Sequence, residues 1–504
     1  MKQKTVRLLS LALACLMCLV SVGCAKGGET STITTITSEI TEDGVRTDGG
    51  SSSVQSTVSG SGTSSIPQKD QEQLHQAEKE LSGYEFSIAS TWITQEENLN
   101  ENSPLMDRLF WEQAHKVEKE YGCKIKVVNL GPTRSDNLKT YIMAGKKVAD
   151  LIDVSAYWMA QSVANKYFIP WSDVPGINVS DTSKWNASSL KTGLYNGKQY
   201  GLNFFKPTEA RFCVMFNKTL LKKNGVDADS LYALVRNKQW TWDKLREYAM
   251  ACTKDTNSDN INDTWGLIGK FDYIGNAALT SFGGGSIVKN GNKYVYGLNS
   301  NNSLAGLNYY YKLVNTDKCV WVADQLNTEH GYTSISENTY RERFTNGTSA
   351  FLIWESWVLN QYVKMSANFD YGILPIPLGT GQTEYKSPAY NDRLFCVTST
   401  NKDLAKASVV INALAKNFGG YKGDEWYDDV AADYFKNDVK ENVEMYKIVM
   451  NSHTVDYGLA ITSLEQTVQD VIIQSVYMNK ATPAAAADSY KNTYKDAINQ
   501  VFNK

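Results

Sequence analysis

The chain has 504 residues and carries 51 Lys and Arg against 54 Asp and Glu, a formal charge of −3. That balance, with no basic cluster interleaved with aromatics, gives no nucleic acid a surface to bind. A body of this length exceeds what one hydrophobic core covers, so at least two lobes are expected.

The first residues, Lys2, Lys4 and Arg7, precede an apolar run over 8–22 that is too short to span a bilayer comfortably. This is the pattern of a secretory signal, residues 1–23. It ends in Ser21-Val22-Gly23-Cys24, which resembles a bacterial lipobox and marks Cys24 for lipidation. Residues 24–81 form a tether and lead-in. Through about residue 69 this stretch is rich in Ser, Thr and Gly and too poor in apolar side chains to offset the entropy of ordering.

From there the pattern alternates. A helical lead-in over 71–81 is followed by a strand from Tyr84 and a helix over 105–121 with apolar residues at helical spacing. A strand over 124–130, a helix near 137–144 and a strand over 150–154 come next. This order predicts an α/β lobe built on a largely parallel sheet, with ligands beyond the carboxyl ends of its strands. Later, Thr241 caps a helix with Asp243 in its first turn, and Leu245, Tyr248 or Ala249, and Cys252 form its inner face. Strands are expected over 349–353 and 394–398, and a helical C-terminal segment over 464–501 is interrupted near Pro483.

Without the leader cysteines and Cys24, five cysteines remain: Cys123, Cys213, Cys252, Cys319 and Cys396. They are odd in number and widely spaced, which is not a disulfide framework. The four histidines show no metal-ligand spacing, and neither a GxSxG elbow nor a phosphate-binding glycine loop is present.

Several segments, in order, resemble the family of extracellular solute-binding proteins that serve carbohydrate ABC importers, the group that includes maltose-binding proteins. They are Asn196-Gly-Lys-Gln-Tyr-Gly-Leu, Val214-Met-Phe-Asn-Lys with Asn224-Gly225, Trp240-Thr-Trp-Asp, Ser281-Phe-Gly-Gly-Gly, Phe344-Thr-Asn-Gly-Thr-Ser-Ala-Phe and Phe369-Asp-Tyr-Gly-Ile-Leu-Pro-Ile-Pro. The resemblance implies a two-lobed periplasmic-binding-protein-like fold of class II, with a hinge and a ligand cleft between lobes. Residues 82–205 plus 375–424 would form the N-terminal lobe and 206–374 plus 425–504 the C-terminal lobe, with crossings near Phe205, Leu374 and Asp424. It further implies a monomer without catalytic activity that binds an oligosaccharide and delivers it to ABC transporter permease subunits.

Sugar rings offer apolar C–H faces and a rim of hydroxyls, so aromatic platforms with polar edges are the side chains to look for. Trp92 follows the first strand and Trp158 the third. Trp354, Glu355 and Trp357 follow the apolar strand over 349–353. Phe282 and Gly284 lie in a glycine run whose amides could approach a ligand, unless the run is a plain turn. Arg393, beside Asp392, offers a rigid fork of donors at the start of a strand; Lys206 and Arg211 near the hinge are weaker candidates. Separately, Asp255, Asn257, Asp259, Ile261 (through its carbonyl) and Asp263 have the spacing of an oxygen-lined loop for structural calcium. Asn260 replaces the usual glycine, and Gly266 the bidentate Glu. A surface glycoside hydrolase and a binding protein for a non-sugar solute stay open as alternatives.

Overall fold

A computed structural model of the protein describes residues 67–129, 135–205, 211–321, 336–388, 392–421, 425–461, 464 and 470–502. The leader, Cys24, most of the tether, Lys206 and the crossing near Asp424 lie outside the described residues.

Two five-stranded sheets organise the body. The first is built from β1 (Glu85–Ala89), β2 (Lys124–Val128), β3 (Leu151–Ser155), β4 (Phe168–Ile169) and, from far along the chain, Arg393–Thr398. The second contains β5 (Phe212–Asn217), β6 (Trp265–Ile268), β7 (Val320–Trp321), β8 (Ser349–Glu355) and β9 (Tyr371–Pro375), and the late strand of the first sheet is β10. The orders are β2-β1-β3-β10-β4 and β7-β6-β8-β5-β9. In each, four strands run in one direction, and the strand that enters from the other sheet, β10 or β5, runs antiparallel to them. The first sheet is therefore largely parallel, as the sequence predicts, with β10 the one reversed strand. A strand arriving from the hinge starts where its neighbours end. Arg393 consequently pairs with Ser155 at the end of β3, and Phe212 with Glu355 at the end of β8.

Both central strands are buried along their whole length, which is why Leu-Ile-Asp-Val-Ser and Ser-Ala-Phe-Leu-Ile-Trp-Glu read as runs without alternation. Helices cover them. Leu105–Tyr121 buries Met106, Phe110, Trp111, Ala114 and Val117 at helical spacing and ends at Gly122, whose φ of 68° closes the last turn. Trp242–Cys252 begins with the Thr241 hydroxyl accepting the Lys244 amide and buries Leu245, Ala249 and Cys252. The five cysteines are all buried and free.

The chain crosses between sheets after Leu202, which bridges to Phe395, and returns after Pro375. Helix Leu404–Ala415 packs on the first lobe and Val439–Asn451 on β9 of the second. The C-terminal segment forms helices Asp470–Tyr477, Pro483–Ser489 and Lys491–Val501. Pro483 opens the second of these, capped by Thr482, because proline suits a first turn that has no amide to satisfy. No helix among the described residues is long and apolar enough to cross a membrane.

Candidate functional site

At the carboxyl end of β1 the chain turns through Ser90, whose hydroxyl accepts the amides of Trp92 and Ile93 at 3.1 Å each and donates to Asp153 at 2.8 Å. This turn pushes Trp92 outward, leaving it 37% exposed. Trp158, half-buried after β3, lies nearly parallel to it, with ring centroids 6.5 Å apart and planes at 23°. Arg393 completes the group. Its guanidinium stands 5.8 Å from the Trp92 ring and 5.1 Å from Phe205, and its Nε donates to Asp153 at 3.0 Å. Burial raises the Asp153 carboxyl above its ordinary value, while Arg393 and Ser90 pull the other way. An indole pair with a fixed cationic edge thus sits beyond the carboxyl ends of parallel strands.

The second lobe places a comparable group at the end of β8. Trp357 is half-buried and donates its Nε1 to Glu355 at 2.9 Å. The Arg341 guanidinium packs 4.0 Å from the Tyr362 ring and 5.3 Å from Trp357. After β6, Lys270 lies 4.6 Å from the Tyr273 ring, whose phenol burial pushes far up.

Both groups border one hinge. The Ser356 amide, just before Trp357, donates to the Arg211 carbonyl at 2.8 Å, and the Arg211 guanidinium forks onto Asp392, just before Arg393.

A family model described as bacterial extracellular solute-binding protein matches residues 98–407, more than half of the chain. The chain belongs to that family. Solved structures with the same fold include the GacH receptor of Streptomyces glaucescens, in complex with acarbose, at 18% identity and TM-score 0.58 over 83% of this chain and 99% of that one. Another is the maltose/maltodextrin-binding domain MalE from Bdellovibrio bacteriovorus, bound to maltotriose, at 17%, 0.54, 82% and 99%. UgpB from Mycobacterium tuberculosis, in complex with glycerophosphocholine, matches at 12%, 0.58, 83% and 99%. No curated protein sequence matches the chain. The two sheets are therefore the two lobes of a maltose-binding-protein type fold.

In this solute-binding protein the remaining candidates divide by burial. Trp354 is fully enclosed, edge-on to Tyr273 at 4.9 Å and beside Tyr340 at 5.9 Å, so it is a core residue and offers no face to a ligand. Glu355 is buried as well and engaged by Trp357, unlike an exposed helix-start carboxylate. Phe282 packs against Tyr309. The glycine run is a turn with committed amides: Gly283 donates to Thr280, Gly284 to Leu279 and Gly285 to Ser303. A Cβ on Gly284 would stand 2.6 Å from the Ser303 hydroxyl, so its small size serves helix packing instead of ligand approach.

The oxygen-rich loop is exposed and folded on itself. Asp255 accepts the amides of Asn257, Ser258 and Asn260, Asn257 that of Asp259, and Asp259 that of Ile261. Hydrogen bonds from Thr256 hold the Asp263 carboxyl below its ordinary value. Asn260 adopts φ 68°, the left-handed turn its position requires. Among the described residues, no three His, Cys, Asp or Glu side chains gather as a metal-holding group. A cation here would depend on Asn257 and the Ile261 carbonyl as well as on the carboxylates.

Sequence reading missed Asp153, Arg341, Tyr362, Lys270 and Tyr273. Asp153 had a signal of its own, a carboxylate inside an apolar strand, which demands a buried partner.

Proposed function

We propose that this protein captures an oligosaccharide outside a bacterial cell and delivers it to the permease subunits of an ABC importer, as a monomer held at the membrane by lipid on Cys24 and without catalysis of its own. The observation that carries the reading is the Trp92 and Trp158 pair edged by Arg393 and Asp153. The exposed indole receives the apolar face of a sugar ring, and the Arg393 guanidinium, held in place by the buried Asp153 carboxylate, meets its hydroxyls. A ligand long enough to reach Trp357 as well contacts both lobes, and so stabilises the closed form over the open one.

Calorimetric titration of the mature body against oligosaccharides and their monomers tests this. The expected result is an affinity of about −8 kcal/mol or better for one oligosaccharide class, with the ligand recovered intact. Absence of binding to every glycan removes the sugar reading, and cleavage replaces it with a hydrolase. Metabolic labelling with a fatty acid, lost in Cys24→Ser, tests the anchor.

The calcium reading is also a proposal. Asp255, Asn257, Asp259, the Ile261 carbonyl and Asp263 would hold the ion, which would brace the loop between helix Trp242–Cys252 and β6.

A further inference from the structure

The two aromatic groups are joined through one buried ion pair. The Asp392 carbonyl accepts the Ala156 amide at 2.8 Å, at the first residue of the turn that ends in Trp158. The Arg211 carbonyl accepts the Ser356 amide at 2.8 Å, one residue before Trp357. Between these two anchor points the side chains close a ring. Arg211 donates to both carboxylate oxygens of Asp392 and to the Ser188 hydroxyl, and that hydroxyl donates to Asp392. Arg211, Asp392 and Ser188 are 1%, 6% and 5% exposed, so the ring is essentially dry.

We propose that Arg211 and Asp392, bridged by Ser188, are positioning residues for ligand binding: the pair sets the spacing of the two aromatic walls. The proposal rests on the glycan reading of the cleft. Arg211 lies on the first crossing between lobes and Asp392 on the second, and crossings of this kind absorb the rotation when lobes close. A guanidinium–carboxylate fork has one favoured planar geometry. In a dry site its members cannot separate without leaving an uncompensated charge. The two crossings are thereby bound to move as a unit. Each carries one wall with it through a main-chain hydrogen bond, and loss of the pair changes the spacing of the walls without removing any ligand-contacting side chain.

The test compares the mature chain with Asp392→Asn, Ser188→Ala, Trp357→Ala and the Asp392→Asn/Trp357→Ala double variant by calorimetry, small-angle scattering and thermal unfolding. Asp392→Asn is expected to lose at least tenfold in affinity for the glycan that the wild type binds, and Ser188→Ala a few-fold. Both should still unfold in one transition, and the ligand-free scattering curve of Asp392→Asn should differ from that of the wild type. Because the pair acts through Trp357, the double variant should lose less than the product of the single losses. Affinity within twofold of wild type, or multiplicative losses with superimposable scattering curves, overturns the proposal. If Asp392→Asn fails to fold, Ser188→Ala decides, and wild-type affinity in it overturns the proposal. If the wild type binds no glycan, the glycan reading falls separately and the scattering comparison still decides: an unchanged curve overturns the pair's role and a shifted one supports it.

Discussion

His453 provides a pH test of the hinge. It begins the short strand His453–Thr454, which pairs with Ser387–Pro388 on the second crossing, and both its ring nitrogens are enclosed. Burial, then the neighbouring Arg211 charge, lowers its pKa from 6.5 to about 4; Lys191 adds to the shift, and Asp392 and the Met450 main chain oppose it. A base depressed in the fold is protonated first in the unfolded chain. The stability it contributes is therefore complete above pH 6.5 and is lost as pH falls to about 4. At about 1.4 kcal/mol per pKa unit, the loss attributable to this one group is about 3 kcal/mol. Urea unfolding of the wild type and of His453→Gln from pH 7.5 to 4 measures it. The buried carboxyls Asp153, Asp272 and Asp456 are raised by burial and push the pH dependence the other way, but they are common to both proteins and cancel in the difference. The wild type should lose about 3 kcal/mol more than the variant across that window. Parallel curves would refute the argument that the folded hinge keeps His453 neutral.

Trp92→Ala should weaken glycan binding at least tenfold, about 1.4 kcal/mol, while shifting the unfolding free energy by under about 1 kcal/mol because the ring is already 37% exposed; unchanged affinity removes the platform. Trp354→Ala should cost about 3–5 kcal/mol of stability in urea unfolding, the price of a cavity among Tyr273 and Tyr340. A variant as stable as the wild type would contradict its place in the core. Calcium at a hundredfold excess over its Kd should raise the unfolding free energy by about 2.7 kcal/mol, with Asp255→Asn abolishing the effect. Equal unfolding midpoints in calcium and in chelator would leave the loop as a self-bonded turn.

Local rules made much of the fold legible. The helix Leu105–Tyr121, the Thr241 cap and the strand beginning near Lys124 all depend on spacing and capping within a turn or two of chain. The ordered motifs around Asn196, Val214 and Phe344 carried the family. The same local rules placed the interruption near Pro483, where the proline opens a new helix capped by Thr482. They left the direction of β10 open, since strand pairing is a property of distant segments.

The site divides in the same way. Sequence placed Trp92, Trp158 and Trp357 after strands, at the edge where ligands are met, and Trp354 with them, although the strand runs on through Glu355 and holds Trp354 inside it. Which of them shows a face was decided only by tertiary packing: Trp354 is enclosed by Tyr273 and Tyr340, whereas the Ser90 turn carries Trp92 outward. Arg393 and Asp153 stand 240 positions apart, and Arg211 and Asp392 stand 181 apart. A charge states its need for a partner in the sequence, but only the crossing of the two lobes brings that partner within reach.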